Sequence, residues 1–480
     1  MIVGRKKEQK LLEMAFESDK AQFITMYGRR RIGKTFLIRQ FFSQKECRFF
    51  EVTGLQHENM QRQLEGFYQA LSDTFFERAP LTPAANWFLA FRFLHEQILK
   101  NEGKVVIFLD ELPWLAAKRS RLIQEIDYYW NHYWSKMRNV ILIVCGSSAS
   151  WIIQKILFNT GGLHNRTTLE IKLNPFSLSE TKEFLENKGV PLNESQVLSL
   201  YMAVGGVPYY LNYVDPGKSA HQTIQKLFFD PTSPLLEEFD KLFESLFSDA
   251  EPYKEIIRTL AEKKDGVERA DLAKKTKIAA RSGGRLTQRL RDLSAAGFIE
   301  PALSWEKRQG EFYRVIDEFS LFYLRWVAQD ERRKVVPQHW LKQSQKPAYY
   351  AWSGYAFEAV CMKHIENILD VLDIEPALYY GWWRYVPTNV NEHGAQVDLI
   401  IDRTDNALTL CEIKYTEEPF IIDKRYAEKL ENVLKIFQQQ TGSKKQLFLA
   451  MVSASGIKKN TYSEKMITGI VTLKDLFKRI

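Results

Sequence analysis

Residues 22–36, QFITMYGRRRIGKTF, limit what this chain can become more than any other stretch. The apolar run from Phe23 to Tyr27 reads as a buried strand. It runs into Gly28-x-x-x-x-Gly33-Lys34-Thr35 and then into the helix-forming FLIRQFF. A strand, a glycine-bounded loop and a helix in that order make a phosphate-binding loop. Successive backbone N–H groups must curl round the phosphates, and glycine tolerates the angles the curl demands. Gly28, Arg29, Arg30, Arg31, Ile32, Gly33, Lys34 and Thr35 are therefore the nucleotide-binding candidates. Lys34 is expected to reach the β and γ phosphates, and the Thr35 hydroxyl to ligate Mg²⁺. A glycine-rich surface turn is the bland alternative. ATP and Mg²⁺ are the expected cofactors, and an α/β fold with a parallel sheet is the expected frame.

An acidic group is needed beside such an ion, and residues 104–114, KVVIFLDELPW, supply one. Five apolar residues from Val105 to Leu109 end in Asp110-Glu111. A parallel strand buried on both faces is this apolar, and an open α/β sheet places its ligand beyond the strands' C-terminal ends. Asp110 reads as holding Mg²⁺ through water, and Glu111 as polarising the attacking water. A further strand, 140–145, runs into Gly146-Ser147-Ser148, where Ser147 or Ser148 is the candidate sensor of the γ-phosphate; a plain strand-to-loop turn is the other reading. Arg166, after Gly161-Gly162-Leu163-His164-Asn165 and before a strand at 168–173, is the candidate charge on the transferring phosphoryl group, against an ordinary surface arginine. Ile2-Val3-Gly4-Arg5 reads as a strand-like clip ahead of a helix over 7–16, with a second strand at 48–53 and an amphipathic helix at 58–75.

A chain of 480 residues has room for about three domains. From 177 to 247 the texture is helical, interrupted by Val204-Gly205-Gly206-Val207-Pro208, and reads as a lid. Helices at 253–262, 269–275 and 282–296, followed by a β-wing from 297 to 315, make a winged helix-turn-helix pattern. Its third helix exposes Arg285, Arg289 and Arg291, either to enter a DNA groove or as part of an inert spacer. An aromatic helix spans 317–327, and the polar stretch 331–347 reads as a linker. Beyond it, Glu358 stands among apolar neighbours on a helix opening at 353. The strands 396–401 and 410–415 pair as a hairpin, and a period of two puts Glu412 and Lys414 on one face, with Asp398 converging on them. Two carboxylates binding one or two Mg²⁺, a lysine to orient water, and Glu358 to complete the metal site are what phosphodiester cleavage needs. An eroded, structural version of the same arrangement is the alternative.

The net charge of +8 and pI near 9.0 point to an anionic partner, nucleic acid and DNA above all, or else to a basic surface that binds nothing. Cys47, Cys145, Cys361 and Cys411 lack C-x-x-C spacing and read as reduced core residues of a cytoplasmic protein. The start has no apolar core of a signal peptide, and no run approaches 18 apolar residues, so neither export nor a membrane partner is expected.

GRRRIGKT, LDELPWL, CGSSASW and GGVPYYL, in this order, resemble the archaeal-type ATPase family, of the STAND class of AAA-like P-loop NTPases. YRVIDEFSLFYLRWV with GYAFE, QVDLII and CEIKY resembles the region that often follows that ATPase, similar to PD-(D/E)xK nucleases. The resemblance implies an ATPase domain over 1–175, a helical lid over 176–248, a winged helix-turn-helix over 249–330 and a restriction-endonuclease-like α/β domain over 345–480. It implies an ATP-hydrolysing switch, with Glu111, Ser147 and Arg166 at one site and Thr35 and Asp110 on its metal. It also implies Mg²⁺-dependent DNA cleavage by Asp398, Glu412, Lys414 and Glu358, and ATP-dependent self-association. Gln396 departs from the pattern, since an acidic residue often precedes the Val-Asp pair. A signalling scaffold or DNA-binding regulator with an inactive nuclease-like domain is the alternative function.

Overall fold

The computed structural model describes residues 1–157, 163, 165–230, 232–247, 249–263, 266–276, 283–302, 305, 312–328, 338–374, 376–387 and 393–479. The residues divide into two units: Met1–Pro175 with Leu246–Ser248 and Arg291–Gly297, and Phe176–Ser245 with Asp249–Leu290 and Phe298–Ile480. No helix among the described residues is long and apolar enough to cross a membrane.

In the first unit, β1 (Gln22–Tyr27), β2 (Arg48–Thr53), β3 (Val105–Asp110), β4 (Val140–Gly146) and β5 (Leu169–Lys172) pair in the order β2-β3-β4-β1-β5, all parallel. β4 therefore lies between the strand that feeds the phosphate loop and the strand that ends in Asp110. Alternation along β3 explains its apolar run: Val105, Ile107 and Leu109 join one buried cluster, Val106 and Phe108 the other. Helices Met60–Phe75, Trp87–Ile98 and Leu122–His132 cover the first face, and Lys6–Glu17 and Lys34–Phe42 the second. Ile2 to Arg5 do not form a strand, contrary to the expected clip; Arg5 takes a left-handed φ of 55° and turns the chain directly into the first helix.

In the second unit, helices Leu178–Asn187 and Glu194–Val204 pack with Glu318–Phe322 and Pro347–Lys363. The last of these starts earlier than the sequence suggested, because Pro347 in the first turn presets the helical φ. A three-stranded antiparallel sheet, β6 (Val267–Glu268), β7 (Ile299–Ala302) and β8 (Phe312–Val315) in the order β6-β8-β7, accompanies helices Glu251–Ala261, Arg269–Lys275 and the one beginning at Gly283. A mixed sheet follows: β9 (Ala377–Tyr385), β10 (Ala395–Arg403), β11 (Ala407–Lys414), β12 (Gln446–Ser453) and β13 (Gly469–Thr472), in the order β13-β12-β11-β10-β9. Helix Lys424–Thr441 covers one of its faces through Leu430 and Phe437.

The stretch read as a linker holds a piece of core instead. Residues 331–337 lie outside those described, but His339–Gln343 is a helix whose Trp340 is fully buried, stacked on Phe229 at 5.5 Å with its backbone N–H donating to Gln225 Oε1. One tryptophan among polar residues leaves the local composition polar while burying a large apolar surface. Nearby, His364 is buried and doubly bonded: its Nε2 accepts from Leu178 N–H at 3.0 Å and its Nδ1 meets the Val360 carbonyl at 2.9 Å. An accepting Nε2 requires the proton on Nδ1, so the ring is neutral, and burial pushes its pKa down to about 4.

Candidate functional site

The phosphate loop is closed on its own lysine. Gly28 has φ 148°, and a Cβ there would lie 2.1 Å from the Leu173 carbonyl oxygen; Arg31 and Gly33 continue the curl at φ 73° and 91°. Lys34 opens the following helix, is buried, and donates from Nζ to the Gly28 and Arg29 carbonyls at 3.0 Å each. An ammonium has three N–H groups, so one remains for a phosphate oxygen. Thr35 Oγ1 donates to Asp110 Oδ2 at 2.8 Å, and Asp110 Oδ1 accepts from Glu111 N–H at 3.0 Å. Glu111 itself sits at φ 46°, with Oε2 accepting from both the N–H (3.0 Å) and hydroxyl (2.9 Å) of Ser147. Of the two serines it is thus Ser147 that meets the acidic pair, while Ser148 leads into helix Ala149–Ile152. The parallel register, with Tyr27 opposite Gly146 and Thr53 opposite Asp110, brings these strand ends level.

The other loop residues have distinct surroundings. Arg29 and Ile32 are buried, and the Arg30 guanidinium lies over the Trp114 ring, 5.9 Å from its centroid. Arg166 is exposed, its backbone N–H donating to Leu163 O; Gly161, Gly162 and His164 lie outside the described residues. Sequence reasoning missed the Arg5 side chain, which is buried and donates from Nη2 to the Ile32 carbonyl at 3.2 Å, bracing the loop from behind. Its only signal was an arginine after glycine at a helix start. The donor set fits a magnesium nucleotide. Oxygen ligands of the kind a hard cation takes, Thr35 Oγ1 and Asp110 Oδ2, already meet, and a buried lysine stands in the loop.

A parallel sheet with a glycine-bounded loop after its β1 strand, and an acidic pair two strands away, defines a phosphate-loop nucleotide-binding domain. Residues 2–214 match the model of the ATPase domain found predominantly in Archaea, so this stretch is similar to that domain family. The chain is 24% identical over 429 residues to the uncharacterized protein MJECL04 of Methanocaldococcus jannaschii, covering 87% of this chain and 88% of that one. It is 46% identical over 48 residues to the uncharacterized ATP-binding protein MJ0423 of the same organism, which is 10% of this chain and 81% of the relative. Among solved structures, the Walker-type ATPase PABY2304 of Pyrococcus abyssi is similar at 18% identity with a TM-score of 0.48, over 68% of this chain and 96% of that one. The ORC2 protein of Aeropyrum pernix is similar at 12% identity with a TM-score of 0.43, over 67% and 92%.

The second unit holds a pair of carboxylates. β10 and β11 are antiparallel with Leu399 opposite Cys411, which carries Asp398 and Glu412 to neighbouring places where their paired register ends. Asp398 Oδ2 accepts from Ile413 N–H at 2.9 Å. Glu412 Oε1 accepts from Lys414 Nζ at 2.7 Å and from the Tyr426 hydroxyl, with Lys429 Nζ 3.6 Å away. Burial, with the Glu412 carboxylate beside it, pushes Asp398 up to about 6. Burial acts the same way on Glu412, but Lys414, Tyr426 and Lys429 together outweigh it and hold that carboxyl below the usual range. Lys414 is held above its ordinary value, because the carboxylates around it outweigh the effect of its burial. Tyr426 and Lys429, one turn apart on helix Lys424–Thr441, were missed because nothing local marks a residue on a helix as facing a strand end.

Two expectations need correction. Glu358 lies near the pair, its carboxylate acting on Lys414, without closing a three-carboxylate cluster: it lines a cavity with Glu300, Arg314, Tyr355 and Lys363, and among the described residues no three His, Cys, Asp or Glu side chains gather closely enough to hold a metal. Its helix is anchored by Phe357 and Val360, which leaves Glu358 at the edge of that buried stripe. The pair that remains still fits a cation, since a positive ion beside two buried carboxylates offsets both the burial and the Glu412 charge that raise Asp398. Nor is Arg289 exposed. It is half-buried, 3.3 Å from Asp249 and over the Tyr253 ring, because helical spacing sets it beside the buried Leu286, Leu290 and Leu293. Arg285 and Arg291 are exposed.

Proposed function

We propose that the chain is an ATP-hydrolysing switch whose second unit cleaves or binds DNA. The observation that carries the first part is the continuous network Lys34, Thr35, Asp110, Glu111 and Ser147 at the ends of β1, β3 and β4. Bound ATP supplies the phosphoanhydride, and Mg²⁺ the charge that neutralises its oxygens. Lys34 keeps the loop curled and offers its remaining N–H; Thr35 and Asp110 hold the ion. Glu111 takes the proton of the attacking water as the new P–O bond forms and the bond to the departing ADP oxygen breaks. In the resting network Ser147 holds one oxygen of the Glu111 carboxylate and leaves the other to accept from the water, and the exposed Arg166 is the candidate second charge on the phosphoryl group. Measuring ATP binding and turnover separately tests this reading: Glu111→Gln binds ATP and turns it over slowly, whereas Lys34→Ala loses binding. Unchanged ATP affinity in Lys34→Ala overturns it.

The second part rests on Asp398 and Glu412 in adjacent register with Lys414 at the same place. Two carboxylates leave most of an ion's coordination to water and phosphate, which suits Mg²⁺. DNA cleavage by the full chain, on linear, single-stranded and supercoiled substrates with Mg²⁺ or Mn²⁺ and with and without ATP, tests it. Loss of cleavage in Asp398→Ala with ATP turnover intact supports the nuclease. ATP-dependent self-association without cleavage under any metal selects a scaffold, and saturable duplex binding without cleavage a regulator using the winged-helix pattern of Arg269–Lys275 and Arg285.

A further inference from the structure

Glu111 is held by its backbone as well as by Ser147. It is a non-glycine residue at φ 46°, a conformation that persists only where the surroundings impose it. The turn that follows, Leu112–Leu115, is wedged between strand ends: a Cβ on Gly54 would lie 2.5 Å from Glu111 O, and one on Gly146 2.8 Å from Pro113 Cδ. Trp114 N–H donates back to Glu111 O at 2.9 Å. The Trp114 carbonyl in turn accepts from Nε2 of Gln63, a side chain only 1% exposed on helix Met60–Phe75. The same amide closes on Leu55 at the end of β2, Nε2 donating to Leu55 O at 2.7 Å and Oε1 accepting from Leu55 N–H at 3.0 Å. On its other side, the Trp114 ring lies under the Arg30 guanidinium of the phosphate loop. A buried glutamine with three backbone bonds, a tryptophan and a loop arginine thus form a strap across the turn that carries Glu111.

We infer that Gln63 and Trp114 are positioning residues for ATP hydrolysis: the strap sets the backbone of Glu111, and so the placement of its carboxylate. It leaves nucleotide affinity to Lys34 and the loop amides. This rests on Glu111 acting on the attacking water. The experiment compares full-length Gln63→Met, Trp114→Ala and Glu111→Gln, singly and combined, for ATP affinity and for kcat. Misplacing a reacting group by about 1 Å costs on the order of a hundredfold, so each strap variant is expected to lower kcat by roughly tenfold to a hundredfold with ATP affinity within about twofold. In the Glu111→Gln background neither substitution lowers kcat further, because the group being positioned is gone. Trp114→Ala guards against misfolding of the buried Gln63→Met, since Trp114 is half-buried and the change removes the ring under Arg30 while keeping the backbone carbonyl. Wild-type kcat in both strap variants while Glu111→Gln is slow overturns the strap alone. So do losses that multiply with Glu111→Gln, or that come with an equal loss of affinity. A Glu111→Gln protein as fast as wild type removes the assigned base, and the strap with it.

Discussion

The two sites are built on sheets and are assembled in opposite ways. In the first unit the phosphate loop is one continuous segment whose backbone makes the cradle, and the side chains that meet it come from strands brought level by parallel register. In the second unit the site is made by side chains on separate strands and a helix. Asp398 and Glu412 are neighbours only because two antiparallel strands pair in one register, and Lys414, Tyr426 and Lys429 already neutralise Glu412. The contrast teaches that the first site is preorganised for an anion by its backbone, whereas the second is a buried pair of unequal carboxyls: burial, with the Glu412 carboxylate beside it, pushes Asp398 up to about 6.

The sharpest way to break this comparison is Asp398→Ala. A bound metal ion contributes several kcal/mol to the transition state, so cleavage should fall about a thousandfold while ATP turnover stays the same. A pH profile sharpens it. Metal binding needs the ionised Asp398, so cleavage should rise as pH increases through about 6, and ATP affinity should show no such step. Equal pH profiles for the two activities would erase the distinction drawn here.

Next in size, Lys34→Ala removes a charge-assisted bond to phosphate and two bonds that close the loop, and should weaken ATP by about a hundredfold, read by titration calorimetry. If the affinity is retained, the loop is not preorganised by its lysine.

A stability measurement separates the frames that carry the two sites. His364 is neutral and buried in the folded second unit with a pKa near 4, below its ordinary 6.5, so the unfolded chain binds more protons between those values. Stability is then fully present above about pH 6.5 and is lost as pH falls toward 4, by about 2 kcal/mol at pH 5. Chemical denaturation from pH 7.5 to 5 should show this loss, and His364→Gln should flatten it; an unchanged slope in the variant shows that other groups carry the pH dependence. The smallest effect belongs to the arginines. Arg285→Ala should reduce the salt dependence of duplex binding by about one counterion, whereas Arg289→Ala, bonded to Asp249, should cost stability of about 1 kcal/mol or less.

The chemistry of the first site could be read along the chain because a phosphate loop is local: its glycines, lysine and threonine act through their own backbone and nearest helix turn, and β3 announces its double burial by an unbroken apolar run. Sequence alone also carried the alternation that puts Glu412 and Lys414 on one face. Only the folded structure decided which partners those residues meet. It chose Ser147 over Ser148, brought Arg5, Gln63 and Tyr426 to the sites from distant segments, set Glu358 on a cavity beside the carboxylate pair, and half-buried Arg289. It also turned a polar linker into the seat of a buried Trp340. The physical reason is the same each time: which side of a helix faces a strand end depends on packing between segments far apart in sequence, and no local pattern of residues encodes that.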